Sequence, residues 1–211
     1  MPETNDAPTL MIRGDKVGLA PPRREHAETL GRHVEPDGVV VGVCDFTPKY
    51  HAATGTLLGT GHTVRYRNNR LMNPRPRETV WSVYDPAADA WSPWEVLAMP
   101  AEDKFWCAGA GSTQRVDLPD GKVLLPIYFK GPADPQYSTT VVRCRFDGRR
   151  LSYVEHGSEL VVPIDRGLYE PSLARFRDRF YLTLRNDRAA YVAASDDGLR
   201  FDTPRKWTFD D

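Results

Sequence analysis

The sequence predicts an all-β fold and, within that class, a β-propeller. Short runs of β-branched, aromatic and aliphatic residues alternate with polar turns, and the apolar positions recur with a period close to two. The 16 glycines and 18 prolines among 211 residues supply many turn positions. The apolar runs also fall into three groups of about four, as the strands of propeller blades do.

The predicted strands follow a polar and partly irregular N-terminal extension at residues 1–36. The propeller portion covers residues 37–211, with blades at about 37–100, 104–157 and 167–211. The predicted strands are 39–46, 56–66, 79–84 and 94–97 in the first blade, 112–118, 122–129, 138–146 and 151–155 in the second, and 171–176, 179–185, 189–194 and 206–209 in the third.

An acidic turn follows the third run of each group. The turn acids Asp85, Asp147 and Asp197 lie 62 and 50 residues apart. A four-stranded unit that repeats at such intervals is typical of a propeller blade. A β-sandwich, in which strands alternate without internal repeats, is the alternative fold.

Composition excludes several classes of function. The 28 Lys and Arg residues against 29 Asp and Glu residues leave a net charge of −1, which predicts no general attraction to nucleic acid or to an anionic membrane. No apolar run approaches the roughly 20 residues that span a bilayer, so we expect no membrane insertion. The motifs of phosphate-binding loops, dinucleotide folds, zinc proteases and serine hydrolases are absent from the sequence. We therefore expect no cofactor.

Cysteine spacing and the N-terminus carry little information about function. Cys44, Cys107 and Cys144 are widely separated and form no CxxC pair, so we expect small hydrophobic residues within strands and no metal site. The first ten residues have neither a basic start nor an apolar core. The chain as written therefore predicts a cytoplasmic protein, and a secreted or periplasmic one if the start is misplaced.

The turn SDDGLRF, residues 195–201, has the chemistry of a tight hairpin. Ser195 and Asp197 can accept hydrogen bonds from turn amides, Gly198 can adopt a positive φ, and Phe201 can pack onto the sheet. The motif resembles the Asp-box of the bacterial neuraminidase repeat family. The resemblance implies a structural role at the outer rim of a blade.

The stretch LYEPSLARFRDRFYLTLRND, residues 168–187, carries the strongest candidate site. Glu170 opens one strand and Arg185 closes the next, fifteen residues later. A hairpin turn at residues 177–179 would bring both to the same end of adjacent strands. There they either form a structural salt bridge or both face a ligand, and spacing alone favours neither alternative.

This stretch resembles the central motif of the sialidase superfamily. The segment 111–130 is also similar to a strand pair of that family, and the resemblance covers about residues 39–211. It implies a sialidase-type propeller with about three of six blades present, as in an N-terminal portion. It further implies that Glu170 is a catalytic carboxylate and that Arg185 grips an acidic group of the substrate.

Histidines occupy the place where sialidases carry other catalytic groups. The segment CDFTPKYHAATGTLLGTG lacks the family's arginine before its Gly-Thr-Leu-Leu strand, and GTGHTVRYRNNRL lacks the family's aspartate. His51 and His62 flank this strand instead. Because a histidine can exchange a proton near neutral pH, both are candidate catalytic residues, with a polar loop position as the alternative.

Four further residues are candidates for substrate binding. Trp106 or Tyr169 could stack on a sugar ring, since the CH-rich face of a pyranose suits an aromatic surface. Arg65 could help Arg185 to grip a uronate or another acidic sugar, and Gln114 could donate or accept a hydrogen bond.

These observations predict an exo-acting glycosidase that removes a terminal acidic or deoxy sugar from a glycan or polysaccharide. A carbohydrate-binding propeller without catalysis is one alternative, and a kelch-like protein-interaction propeller is the other. Three blades would leave sheet edges unpaired, so an incomplete ring also predicts self-association.

Overall fold

The computed structural model describes residues 12–13, 16–17, 33–34, 39–68 and 70–208. The predicted extension at residues 1–36 otherwise lies outside the described residues. Within the described part the secondary structure is β, apart from one short 3-10 helix, and this confirms the predicted all-β class. Helices of a length and hydropathy that would cross a membrane are absent from the described residues.

The first large sheet is built on one long hairpin. A separate two-stranded ribbon, β1 (Ile12–Arg13) and β2 (Lys16–Val17), precedes it. The strands of the first sheet are β3 (His33–Val34), β4 (Val40–His51), β5 (Thr56–Arg67), β6 (Arg70–Leu71), β7 (Thr79–Asp85), β8 (Ala90–Trp91) and β9 (Glu95–Val96). Their order is β3-β4-β5-β7-β8, with β6 beside β5 and β9 beside β7. The strand predicted at 94–97 is observed as the shorter β9, and β8 is an additional short strand that was not predicted.

The second sheet follows the 3-10 helix at Asp103–Phe105. Its strands are β10 (Cys107–Gly109), β11 (Val116–Asp117), β12 (Lys122–Lys130), β13 (Ser138–Phe146) and β14 (Leu151–His156), in the order β10-β12-β13-β14 with β11 beside β12. The third sheet contains β15 (Tyr169–Phe176), β16 (Arg179–Arg185), β17 (Ala190–Ser195) and β18 (Arg205–Lys206), in chain order. All the strand pairs in these sheets are antiparallel.

The second sheet is buried on both faces, which explains its continuous apolar sequence. Along β12, Val123 and Leu125 enter one core cluster, whereas Leu124 enters the other, because side chains alternate across a strand. The first cluster also holds Leu58 and Trp81 of the first sheet. The second cluster also holds residues of the third sheet: Leu173, Phe180, Leu182, Leu184, Tyr191 and Ala193. The three sheets are therefore packed face to face in chain order.

The acidic turns repeat the same local structure in all three sheets. Asp85 Oδ1 accepts a hydrogen bond from the amide of Ala87 at 2.9 Å, and Asp147 Oδ1 accepts one from the amide of Arg149 at 2.8 Å. Asp197 Oδ1 accepts one from the amide of Leu199 at 2.8 Å. The turns lead from β7 into β8, from β13 into β14 and from β17 into β18, so the sequence repeat corresponds to a structural one.

The third turn is the most extensively bonded. Ser195 Oγ accepts the amide of Gly198, whose φ is +75°, and also lies 3.0 Å from Asp197 Oδ1. Burial alone would raise the pKa of Asp197, but hydrogen bonds from the amides of Arg200 and Leu199 and from Ser195 outweigh it and lower this pKa to about 2. Phe201 is partly buried against the second core cluster.

Candidate functional site

The ends of strands from all three sheets surround one cavity of about 280 Å³. The first sheet and its loops contribute Cys44, Asp45, His62, Val64, Tyr66, Leu71, Arg75 and Arg77, the second contributes Tyr128 and Tyr137, and the third contributes Arg166, Tyr169 and Glu170. Of the sequence-predicted site residues, the structure brings His62, Tyr169 and Glu170 into this cavity.

Two carboxylates are directed into the cavity by the same kind of strand irregularity, in which the backbone has a positive φ. Asp45 lies at an irregularity in β4 between Cys44 and Thr47 and has φ +52°. Glu170 lies at an irregularity in β15 between Tyr169 and Ser172 and has φ +46°. Such bulges turn a side chain away from its regular direction, and left-handed backbone at a residue other than glycine carries strain.

Glu170 forms an ion pair with Arg185. Arg185 Nη1 donates to Glu170 Oε2 at 2.6 Å, and the side chain of Arg185 is 58% exposed, while that of Glu170 is 29% exposed. The pairing of Tyr169 with Arg185 in the β15–β16 ladder places both charged residues at one end of the hairpin. Arg185 thus contacts a residue of the cavity without being part of its wall.

The hydroxyl of Tyr169, the residue before Glu170, takes part in a hydrogen-bond network with charged side chains. Its hydroxyl donates to Asp187 Oδ1 at 2.6 Å and accepts from Arg166 Nη2 at 2.6 Å. Arg166 also donates from Nε to Asp187 Oδ2 at 2.9 Å. Hydrogen bonds from Arg166, and then from Tyr169, lower the pKa of Asp187. The guanidinium groups of Arg166 and Arg185 both lie over the Tyr169 ring, at 4.4 and 5.2 Å.

His62 is 3% exposed and stands beside Cys44 and Asp45. Its Nε2 lies 3.0 Å from Cys44 Sγ and 3.7 Å from Asp45 Oδ2, and its buried Nδ1 has no partner among the described residues. Burial, and then the charges of Arg77 and Arg75, lower the pKa of His62 to about 3. The ring is therefore neutral near pH 7, which corrects the expectation of a histidine poised to exchange protons there.

Two glycines explain how His62 comes to be so enclosed. A Cβ atom at Gly111 would overlap the His62 ring, and one at Gly109 would overlap His62 and Arg77. The segment 109–112 thus lets the backbone of the second sheet pack directly on the histidine.

Cys44, Asp45 and His62 each offer one metal-ligating atom, and these atoms lie within 4.8 Å of one another. Burial, and then Asp45, raise the pKa of the Cys44 thiol to about 11, so this sulfur is protonated near pH 7. The donor set suits zinc. The positive charges of Arg75 and Arg77, which lower the pKa of His62, oppose a cation at this position.

Besides Arg185, four of the predicted residues do not line the cavity. His51 is fully buried, with Nδ1 2.8 Å from Thr54 Oγ1 and Nε2 3.1 Å from the carbonyl of Gly121. Arg65 donates from Nη2 to Glu78 Oε2 at 3.2 Å.

The other two lie outside the cavity wall as well. Gln114 is exposed, and its carbonyl accepts from the amide of Leu173 at 2.9 Å. Trp106 is half-buried and caps the 3-10 helix. A structural role in linking elements accounts for each of these contacts.

Sequence reasoning missed Asp45, Arg75, Arg77, Tyr128 and Tyr137. Arg77 Cζ lies 4.7 Å from the centre of the Tyr128 ring and 5.9 Å from that of Tyr137. The segment NPRPRE, residues 73–78, carries two arginines just before an apolar strand. This pattern is the sequence feature that could have indicated arginines at the end of that strand. Burial is the main cause that raises the pKa of Tyr128, so its phenol is protonated at neutral pH.

Comparison with solved structures finds this fold among glycoside hydrolases. The chain matches the Hadza microbial sialidase Hz136 with a TM-score of 0.58 and 15% identity, over 80% of this chain and 34% of that one. It matches the Trypanosoma rangeli sialidase with a TM-score of 0.54 and 16% identity, over 79% of this chain and 28% of that one. No protein-family model and no curated protein matches the chain.

A third relative belongs to another group of glycosidases. Zg3597, a family 117 glycoside hydrolase from the marine bacterium Zobellia galactanivorans, matches with a TM-score of 0.56 and 11% identity, over 81% of this chain and 56% of that one. The chain thus spans between about a quarter and somewhat over half of the length of these three relatives. The three packed sheets have the sialidase-type propeller fold that the sequence predicts.

Proposed function

We propose that the protein is a glycoside hydrolase that removes a terminal acidic or deoxy sugar from a glycan or polysaccharide. The main observation behind this proposal is that two strained bulges direct the carboxylates of Asp45 and Glu170 into one cavity. In most glycoside hydrolase families, although not in sialidases, hydrolysis of a glycosidic bond uses two carboxyl groups on either side of the scissile bond. The names of the structural relatives, two sialidases and a family 117 glycoside hydrolase, support the same reaction class.

Each carboxylate has surroundings that suit one part of the reaction. Glu170 is oriented by Arg185 and acts at the developing positive charge of the sugar ring. Asp45 is 41% exposed beside the neutral His62, and it acts as the acid or base that exchanges a proton with the leaving group or water. Asp45 thereby takes the role that sequence reasoning gave to His62 and His51.

Substitution of either carboxylate tests this proposal. We expect Glu170→Gln and Asp45→Asn each to lower kcat by about 100-fold or more, since general acid–base groups contribute about that factor. Initial rates are measured on fluorogenic glycosides of uronic, sialic, deoxy and neutral sugars.

Glu155→Gln is the matched control, because Glu155 is also ion-paired with an arginine, Arg143, but lies outside the cavity. Its rates should equal those of the wild type. Wild-type rates in either cavity variant, or the absence of hydrolysis of every glycoside by the wild type, would contradict the proposal.

A carbohydrate-binding protein without catalysis is the second candidate. The closed Glu170–Arg185 ion pair favours it, since a carboxylate held by a guanidinium can serve recognition alone. In that case Glu170→Gln changes only the affinity for a sugar, as measured by titration calorimetry, and no turnover exists to be lost.

A further inference from the structure

Arg77 is a buried cation that forms no ion pair with any of the described residues. The residue is 6% exposed, and its Nε and Nη1 atoms are buried without a hydrogen-bond acceptor among the described residues. Its backbone is locked in place, because its amide donates to the carbonyl of Trp106 and its carbonyl accepts from the amide of Ala108. An uncompensated buried charge is costly, so a partner for this guanidinium is to be expected.

Arg115 shows how this chain satisfies a buried arginine when the role is structural. Arg115 is 2% exposed, and it donates from Nε to Asp117 Oδ1 at 2.9 Å and from Nη1 to the carbonyl of Leu58 at 2.8 Å. Its Nη2 donates to the carbonyl of Lys49 at 2.8 Å. Arg77 is buried to a similar degree, lines a cavity, and lacks comparable acceptors within the described part of the chain.

The tyrosines around Arg77 stabilise its charge without pairing its donors. The guanidinium lies over the faces of Tyr128 and Tyr137, where the ring quadrupole attracts a cation. Hydrogen bonds of a guanidinium lie in its own plane, so the stacked rings leave the N–H groups available.

The nearby carboxylates already have other neighbours. Glu170 is paired with Arg185. Asp45 lies beside the neutral ring of His62, and within the described part of the chain it forms no ion pair with Arg77. Arg75 adds a second positive charge to the wall, and its buried Nε also has no acceptor among the described residues.

We propose that the cavity binds a sugar through an anionic substituent, a carboxylate or a sulfate ester, which accepts hydrogen bonds from Arg77 and is attracted by Arg75. This inference rests on the proposed function and deepens it, because it assigns the charged part of the substrate to the first sheet. Arg185, the clamp that sequence reasoning favoured, then serves to orient Glu170. A planar guanidinium pairs with either oxyanion in a bidentate manner.

The test compares anionic sugars with neutral ones of the same ring. Glucuronate against glucose and galactose 6-sulfate against galactose are titrated calorimetrically into the Glu170→Gln protein, which binds without turnover if the protein is an enzyme. We expect at least one anionic sugar to bind tenfold or more tightly than its neutral counterpart, and added salt to weaken that preference. The comparison of the two pairs distinguishes a carboxylate from a sulfate.

Variants of Arg77 then locate the anion. In the same background, Arg77→Gln should abolish the tenfold preference, and Arg77→Lys should retain part of it, because lysine keeps the charge and loses the planar fork. Arg145→Gln removes an exposed positive charge from β13 and should leave the preference unchanged. Thermal melting is used to check that each variant is folded. If Arg77→Gln is not folded, Arg75→Gln, at a partly buried position, is tested in its place.

Equal binding of charged and neutral sugars, no binding of any of them, or a preference that survives Arg77→Gln would overturn the inference. Failure of the proposed function is a separate outcome. Anion binding that depends on Arg77, together with no hydrolysis of any glycoside by the wild type, would refute the glycosidase and leave the anion site standing. If the wild type hydrolyses neutral glycosides and Arg77→Gln leaves the rate unchanged, the anion site is refuted and the glycosidase proposal stands.

Discussion

At the scale of single residues, His62 shows how burial changes the chemistry of a side chain. Gly109 and Gly111 of the neighbouring sheet pack against its ring, and Arg75 and Arg77 oppose its protonation. A histidine that would titrate near pH 6.5 in water is therefore neutral throughout the physiological range. The neutral ring packs beside Asp45, and its Nε2 lies within hydrogen-bond distance of Cys44 Sγ.

This environment predicts an acid-sensitive fold. The pKa of His62 falls from 6.5 to about 3 on folding, so the unfolded chain binds more protons between these values. Stability is then fully present above pH 6.5 and declines, by roughly 1 kcal/mol per pH unit, as the pH falls towards the folded pKa. Urea unfolding of the wild type and of His62→Gln at pH 7, 5 and 4 measures this contribution.

The variant should lose the part of the pH dependence that belongs to His62. Proton NMR gives a direct check, since the His62 ring signals should not shift between pH 8 and pH 5. An ordinary titration curve centred near pH 6.5 would contradict the prediction.

At the scale of elements, the hairpin turns and the bulges have different tasks. In the turns at Asp85, Asp147 and Asp197 a carboxylate accepts hydrogen bonds from backbone amides, and the turns connect β7 to β8, β13 to β14 and β17 to β18. The bulges at Asp45 and Glu170 interrupt strand pairing to redirect a carboxylate. The turns stabilise the sheets, whereas the strained backbone at the bulges costs stability and turns a carboxylate towards the cavity.

The third turn should contribute measurably to stability. Asp197→Ala removes the acceptor of the amides of Leu199 and Arg200, and we expect the free energy of unfolding to fall by about 1–2 kcal/mol. The neighbouring Asp196→Ala is the control, because the Asp196 side chain is 86% exposed and is ion-paired with the exposed Arg179. Urea denaturation should show a change below about 0.5 kcal/mol for the control. Equal effects for the two variants would show that the turn bonds contribute nothing.

At the scale of the whole molecule, the three sheets are held together by two apolar clusters and one buried arginine. Both clusters share β12, whose successive side chains point to opposite neighbours. Arg115 joins the first and second sheets through the carbonyls of Leu58 and Lys49. The cavity lies where residues of all three sheets meet, so its geometry depends on these contacts.

Loss of the Arg115 side chain should therefore weaken the whole molecule. Arg115→Ala leaves two buried carbonyls and Asp117 without their donor, and we expect destabilisation of about 3 kcal/mol or more. Arg145→Ala, on an exposed position of β13, should change stability by less than about 0.5 kcal/mol. Thermal melting followed by circular dichroism measures both variants. Similar melting temperatures for the two would show that Arg115 does not tie the sheets together.

The fold class and the order of the long strands follow from local features of the sequence. Alternating apolar residues along β12 and β16, glycine and aspartate at the turns, and the recurring turn acids are local signals, and local signals decide where a strand runs and where it reverses. For the same reason the sequence placed Glu170 and Arg185 on one hairpin, where they form an ion pair. The spacing of two residues in one hairpin is a property of the chain alone.

Which residues share the cavity depends instead on the packing of the sheets against one another. Asp45, Arg77 and Tyr128 are far apart in sequence, and their proximity depends on how one sheet packs against the next. His51 and His62 looked alike in sequence, yet one is bonded to the neighbouring sheet and the other lines the cavity. Burial and the field of distant charges act through space, so the chemistry of such residues becomes visible only once the sheets are packed.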